Sequence, residues 1–221
     1  YRELGSGDSC AITEFGRISP SGGSAILSVA LTSDGSLLCT GGEAKVAQIW
    51  VIRASGEMEL THEFRTSTTI WSLSVAPAHS STSPRSKSQE KNFVLRSRSP
   101  DPTASAQTTF HLAVGLADCT EVYQLDWGSG ATGRLGRDGP KCQPLLWIDC
   151  QAAQGGVAIC STGQVAIAGE HLVSVHNFLM GGSICRMPRE GRVRCVAFSP
   201  NGGFVVSGGF DRKVMLHDIE T

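Results

Sequence analysis

The chain has 221 residues, 19 Lys+Arg against 20 Asp+Glu, and a formal net charge of −1. That balance excludes a generic polyanion binder or membrane-surface protein, whose partners demand an excess of positive charge. A hydrophobic content of 40% excludes a wholly disordered chain, and the length suits one large domain or two small ones.

The first patterned segment is residues 26–52, "ILSVALTSDGSLLCTGGEAKVAQIWVI". Apolar residues alternate on both sides of Thr32-Ser33-Asp34-Gly35, where Asp-Gly supplies the positive φ of a hairpin turn. A further strand, "IWSLSVAP", ends where residues 78–107 begin. In that stretch apolar content collapses while Ser, Pro and Arg accumulate, so burial does not offset its ordering entropy. Ser83-Pro84 and Ser99-Pro100 stand there beside basic residues as candidate phosphorylation sites. A phosphate would bring roughly −2 of charge to a positive segment. The stretch reads either as a regulatory or docking loop or as an inert insertion, which loop-closure entropy tolerates.

Residues 110–127 and 163–178 each give strand, turn and strand again. Between them, "GSGATG" (128–133) matches a dinucleotide fingerprint by letter. The glycines and proline that follow forbid the helix a pyrophosphate would need, so the match is read as a loop. Arg186, Arg189, Arg192 and Arg194 then gather four guanidinium groups within nine residues. They are the candidate partner-binding residues, for an acidic protein surface or a phosphate. No interleaved aromatics favour single-stranded nucleic acid.

The final segment, residues 193–219, is "VRCVAFSPNGGFVVSGGFDRKVMLHDI". It superimposes without a gap on residues 26–52: Ser199-Pro200-Asn201-Gly202 falls on Thr32-Ser33-Asp34-Gly35, Ser207-Gly208-Gly209 on Thr40-Gly41-Gly42, and His217 on Trp50. Such small antiparallel sheets bury both faces only by stacking on neighbours, which predicts a radial array. Gly208 and Gly209 are expected to permit the backbone bend before the second turn, and Asp211 to cap that turn.

These residues resemble the WD40-repeat family over roughly 20–221. The resemblance implies an all-β fold, a β-propeller of four-stranded antiparallel blades, of which about four are visible. It implies residues 1–19 as an N-terminal strand or linker from a preceding blade and 78–107 as an insertion within a blade. The family's Gly-His before each blade is missing, and Pro188-Arg189 stand at that place ahead of Val193. Its Trp-Asp closure survives only in part, as Trp50-Val51 and His217-Asp218. Of the His-Asp-Ser/Thr-Trp network that stiffens family blades, Ser207 and Asp211 match in the last unit and Thr40 and Trp50 in the first. The function implied is a non-enzymatic protein-interaction scaffold or adaptor using loops on the propeller faces. The alternatives are an enzyme or small-ligand sensor in the central channel, or phosphate or nucleic-acid binding through the arginines.

No cofactor, metal or membrane association is expected. The eight cysteines include no CxxC pair and several sit within apolar runs, which points to reduced thiols in the cytoplasm or nucleus. The rest of the propeller is expected to lie outside this chain.

Overall fold

The computed structural model describes residues 17–18, 23–53, 55–78, 108–127, 139–149 and 155–219. Residues 1–16, nearly all of the 78–107 insertion with Ser83 and Ser99, and the 128–133 glycine loop lie outside the described residues.

Among the described residues, fifteen strands form four separate antiparallel sheets. Blade 1 is β1 (Ile26–Leu31), β2 (Leu37–Gly42), β3 (Val46–Ile52) and β4 (Met58–Arg65). Blade 2 is β5 (Ser72–Pro77), β6 (Thr108–Gly115), β7 (Cys119–Trp127) and β8 (Lys141–Asp149). Blade 3 is β9 (Val157–Cys160), β10 (Gln164–Ala168), β11 (Leu172–Asn177) and β12 (Ser183–Pro188). Blade 4 has three strands among the described residues: β13 (Val193–Phe198), β14 (Phe204–Gly209) and β15 (Val214–Asp218). Strand order within every blade is sequence order, so each blade is a simple meander.

The turns follow the local chemistry. Asp34 accepts from Thr32 Oγ1 (2.6 Å) and from the Ser36 amide (3.1 Å), and Gly35 takes φ 70°. The equivalent turn in blade 4 repeats the device with Asn201, which accepts from Ser199 Oγ (2.6 Å) and the Gly203 amide (3.2 Å), while Gly202 sits at φ 76°. None of Gly41, Gly42, Gly208 and Gly209 adopts positive φ; the left-handed residues of those turns are Lys45 and Arg212. The glycines serve close approach instead. A Cβ on Gly42 would stand 2.1 Å from the Ala25 carbonyl oxygen, and one on Gly209 would stand 2.3 Å from that of Arg192.

The blades are held to one another by three apolar seams. β10 shows why its sequence is an uninterrupted apolar run. Val165 and Ile167 pack into the seam with blade 2, and Ala166 and Ala168 into the seam with blade 4. Leu37, Cys39, Ala47 and Ile49 of blade 1 meet Leu73, Leu112, Val114 and Trp127 of blade 2 in the largest seam. The inner strands β1, β5, β9 and β13 pack side by side in that order, and contact of that extent is not repeated between β13 and β1.

Hydroxyl groups finish these joints. Leu73 N–H donates to Ser28 Oγ at 2.8 Å, Val157 N–H to Ser72 Oγ at 3.0 Å and Ile159 N–H to Ser74 Oγ at 3.1 Å. β5 and β9 each turn an edge towards the preceding inner strand, and serines on that strand satisfy amides along it. Among the described residues, no strand ladder crosses from one blade to the next.

Candidate interaction surface

The inner strands end together at one face of the molecule. Leu31 and Ser33 of blade 1, Ser74–Pro77 of blade 2, Val157–Ser161 of blade 3 and Val196–Pro200 of blade 4 line one open concavity of about 500 Å³. Its walls are apolar side chains such as Val75, Ile159 and Phe198, with Ser33, Ser161 and Ser199 supplying hydroxyls. No Asp, Glu, Lys, Arg or His stands among these lining residues. Such a surface suits neutral, apolar, hydrogen-bonding matter and offers a phosphate no counter-charge.

The four arginines do not form one patch. Arg189 points inward, and its side chain is fully buried. Its Nε donates to Asp211 Oδ2 (2.8 Å), its Nη2 to Asp211 Oδ1 and the Lys213 carbonyl (both 2.8 Å), and its Nη1 to Ser207 Oγ and the Ser207 carbonyl. All five guanidinium N–H groups are thereby engaged within blade 4, and Arg189 offers nothing to a partner. Arg186 is exposed on β12, the outermost strand of blade 3, whereas Arg194 is exposed on β13, the innermost strand of blade 4. Arg192 is half-buried in the loop between them.

Asp211 also accepts from the Lys213 amide at 3.2 Å, tying the turn before β15. Bonding to Arg189 holds its carboxyl below the usual carboxylate range. In blade 1, Trp50 Nε1 donates to Thr40 Oγ1 at 3.2 Å. In blade 4, Ser207 Oγ is taken by Arg189, and the His217 ring, at the Trp50 position, carries a buried Nε2 without a partner. Asp218 is exposed at the end of β15.

A second histidine lies in the seam between blades 2 and 3. His111 is buried, with Phe178 edge-on at 4.8 Å and its Nδ1 unpartnered. Burial depresses its pKa, against an opposing pull from Asp126. The folded chain therefore favours neutral His111, whereas the unfolded chain takes a proton near pH 6.5. The stabilisation is complete above that pH and is lost as the pH falls through it towards the lower folded value. His176, also depressed by burial and by the Arg186 charge, acts in the same direction. Thermal melts from pH 7.5 to 5 should show a falling Tm, with a shallower slope in His111→Leu; an unchanged slope would remove His111 from the account.

The fold so described defines a class, the β-propeller built of antiparallel blades round a common axis. Two segments, residues 16–50 and 183–218, match the family model "WD domain, G-beta repeat". No curated protein sequence matches it. Among solved structures it is similar to Sqt1 from Chaetomium thermophilum, at 15% identity and TM-score 0.58, over 89% of this chain and 43% of that one. It is likewise similar to a chain of the Mitotic Checkpoint Complex, at 15% identity and TM-score 0.56, over 91% of this chain and 53% of that one. The chain thus spans about half the length of the solved chains it matches.

Proposed function

We propose that this chain is a protein-interaction scaffold that seats partner segments in the concavity where the inner strands converge. The observation that carries the reading is the lining itself, contributed by all four blades, apolar in its walls and without charged residues. A propeller holds such a surface rigid, so a partner segment loses its own freedom without the site also having to order. Apolar side chains entering between the strand ends, with backbone bonds to the serine hydroxyls, would supply affinity and register. The Ser-Pro steps at Ser83 and Ser99 stand in the chain between β5 and β6, and phosphorylation of that insertion is the proposed control on that binding.

Ser161→Arg tests the site. The residue is half-buried in the lining, and its replacement sets a guanidinium in a neutral concavity without removing core. Partners captured from lysate by the unaltered chain and identified by mass spectrometry should bind the variant at least tenfold more weakly, a change of about 1.4 kcal/mol. Equal binding by both would sink the concavity as the recognition surface.

A further inference from the structure

Trp127 is 1% exposed and Trp50 and Trp71 are half-buried, whereas Trp147 is 60% exposed. Trp147 stands on β8, the outermost strand of blade 2, and that blade is packed by blade 1 on one face and blade 3 on the other. A sheet covered on both faces still leaves this ring in solvent. Trp147 pairs with Glu121 of β7, and Cys119 and Tyr123 lie two residues to either side of Glu121 on the same face. Cys119 and Tyr123 belong to the seam with blade 1, where Tyr123 packs on Phe64 of β4 at 4.6 Å. Trp147 and Glu121 are therefore turned to that side, at the outer rim of the seam.

The polar atoms of this rim are fixed in place. The Trp147 indole N–H, its one polar group, bonds the buried Cys119 thiol, so the surface left to solvent is aromatic carbon. Tyr123 Oη donates to Glu121 Oε2 at 2.7 Å, which holds the carboxylate beside the ring and leaves Oε1 unengaged among the described residues. Asp118 and Asp149 are exposed close by, Asp149 directly opposite Cys119. Burial raises the Cys119 thiol to about 11 against the Trp147 bond, and the charges of Asp118 and Glu121 add to the rise. Among the described residues, no ion pair neutralises Asp118, Glu121 or Asp149.

We propose that this rim binds an arginine side chain of a partner protein, with the guanidinium stacked on the Trp147 ring and hydrogen-bonded to the Glu121 carboxylate. Charge and shape together select that occupant. An apolar segment would strip water from the carboxylates without replacing it, and an anion would be repelled. A lysine ammonium is a compact point charge, whereas a guanidinium lies flat on a ring and directs N–H groups in its own plane to a carboxylate. Directly opposed residues on antiparallel strands hold their Cβ atoms roughly 5 Å apart, which puts the ring and the carboxylate within reach of one guanidinium. Asp118 and Asp149 add a field that draws basic segments to the rim. Inner and outer strands lie at opposite edges of a blade, so this rim and the concavity are separate sites.

A fluorescein-labelled peptide, Gly-Ser-Arg-Ser-Arg-Ser-Gly, titrated with the 221-residue chain at low salt, should bind with a Kd of about 0.1 mM by anisotropy. The same peptide with citrulline for arginine, neutral but alike in shape, should bind about tenfold more weakly, as should the lysine version. Trp147→Ala and Glu121→Gln should each weaken the arginine peptide about tenfold with unchanged circular dichroism, since the ring is exposed and Gln keeps the acceptor for Tyr123. Ser161→Arg, which alters the concavity, should leave this binding as it is. No binding at about 1 mM chain, equal binding of the citrulline or lysine peptide, or an unaltered Kd in either rim variant would overturn the proposal. Loss of binding in Ser161→Arg would place the peptide in the concavity and overturn it equally.

Discussion

Arg189→Ala should destabilise the chain by about 3 kcal/mol and lower its Tm by roughly 6–12 °C. The loss exceeds that of an ordinary surface arginine because the side chain is fully buried and all its donors are used. Truncation leaves the Asp211 carboxylate, Ser207 Oγ and the Lys213 carbonyl facing a gap where five N–H groups stood. Arg189→Lys should recover only a small part, because an ammonium carries charge but no planar fork to engage both carboxylate oxygens. The pH dependence has a definite sign. Asp211 is held below its ordinary value, so its contribution is present above pH 3.8 and lost as pH falls through the lower folded pKa. Removing Arg189 should shift the acid limb of unfolding to higher pH. A Tm within 2 °C of the unaltered chain would show that blade 4 does not depend on this pair.

Ser72→Ala combined with Ser74→Ala should cost about 2 kcal/mol, at about 1 kcal/mol for each amide of β9 deprived of its acceptor. The more telling readout is local. Hydrogen exchange at the Val157 and Ile159 amides should accelerate, because these donate to the two hydroxyls. The amides that pair β10 with β11 should stay protected, being bonded within their own blade. Unaltered exchange at both β9 positions would show that the apolar seam alone fixes the joint.

The two ends of the chain were the most legible in the sequence, and for a physical reason. Asp34-Gly35 and Asn201-Gly202 are turn signals that depend only on local backbone chemistry, and they fix the register of the strands on either side. Strands β5 to β12 lack such matched turns, yet their runs of apolar residues with small breaks still read as doubly covered strands. The glycine pairs stand out in the sequence, but close approach to another backbone leaves the same mark there as a bend before a turn. Arg189 is hidden in the sequence for a related reason. An arginine in a basic run looks like surface, and only its place ahead of Val193, with Ser207 and Asp211 following at family spacing, pointed inward. The serines of β1 and β5 gave no sign at all. A hydroxyl that bonds a neighbouring blade has a partner 45 residues away in one case and 85 in the others, beyond any local pattern.

Those serine joints bear on how such a chain diverges. A strand ladder between blades would bind every residue of one inner strand to a fixed counterpart in the next, so that an insertion or deletion in either would propagate. A joint made of one or two hydroxyls and an apolar face imposes no such bookkeeping. Each blade is free to drift in sequence, lengthen its loops or accept an insertion such as 78–107, provided it keeps a small acceptor and a greasy side. The family signature is accordingly strongest in the end units and weakest between them, while the blades remain alike in shape.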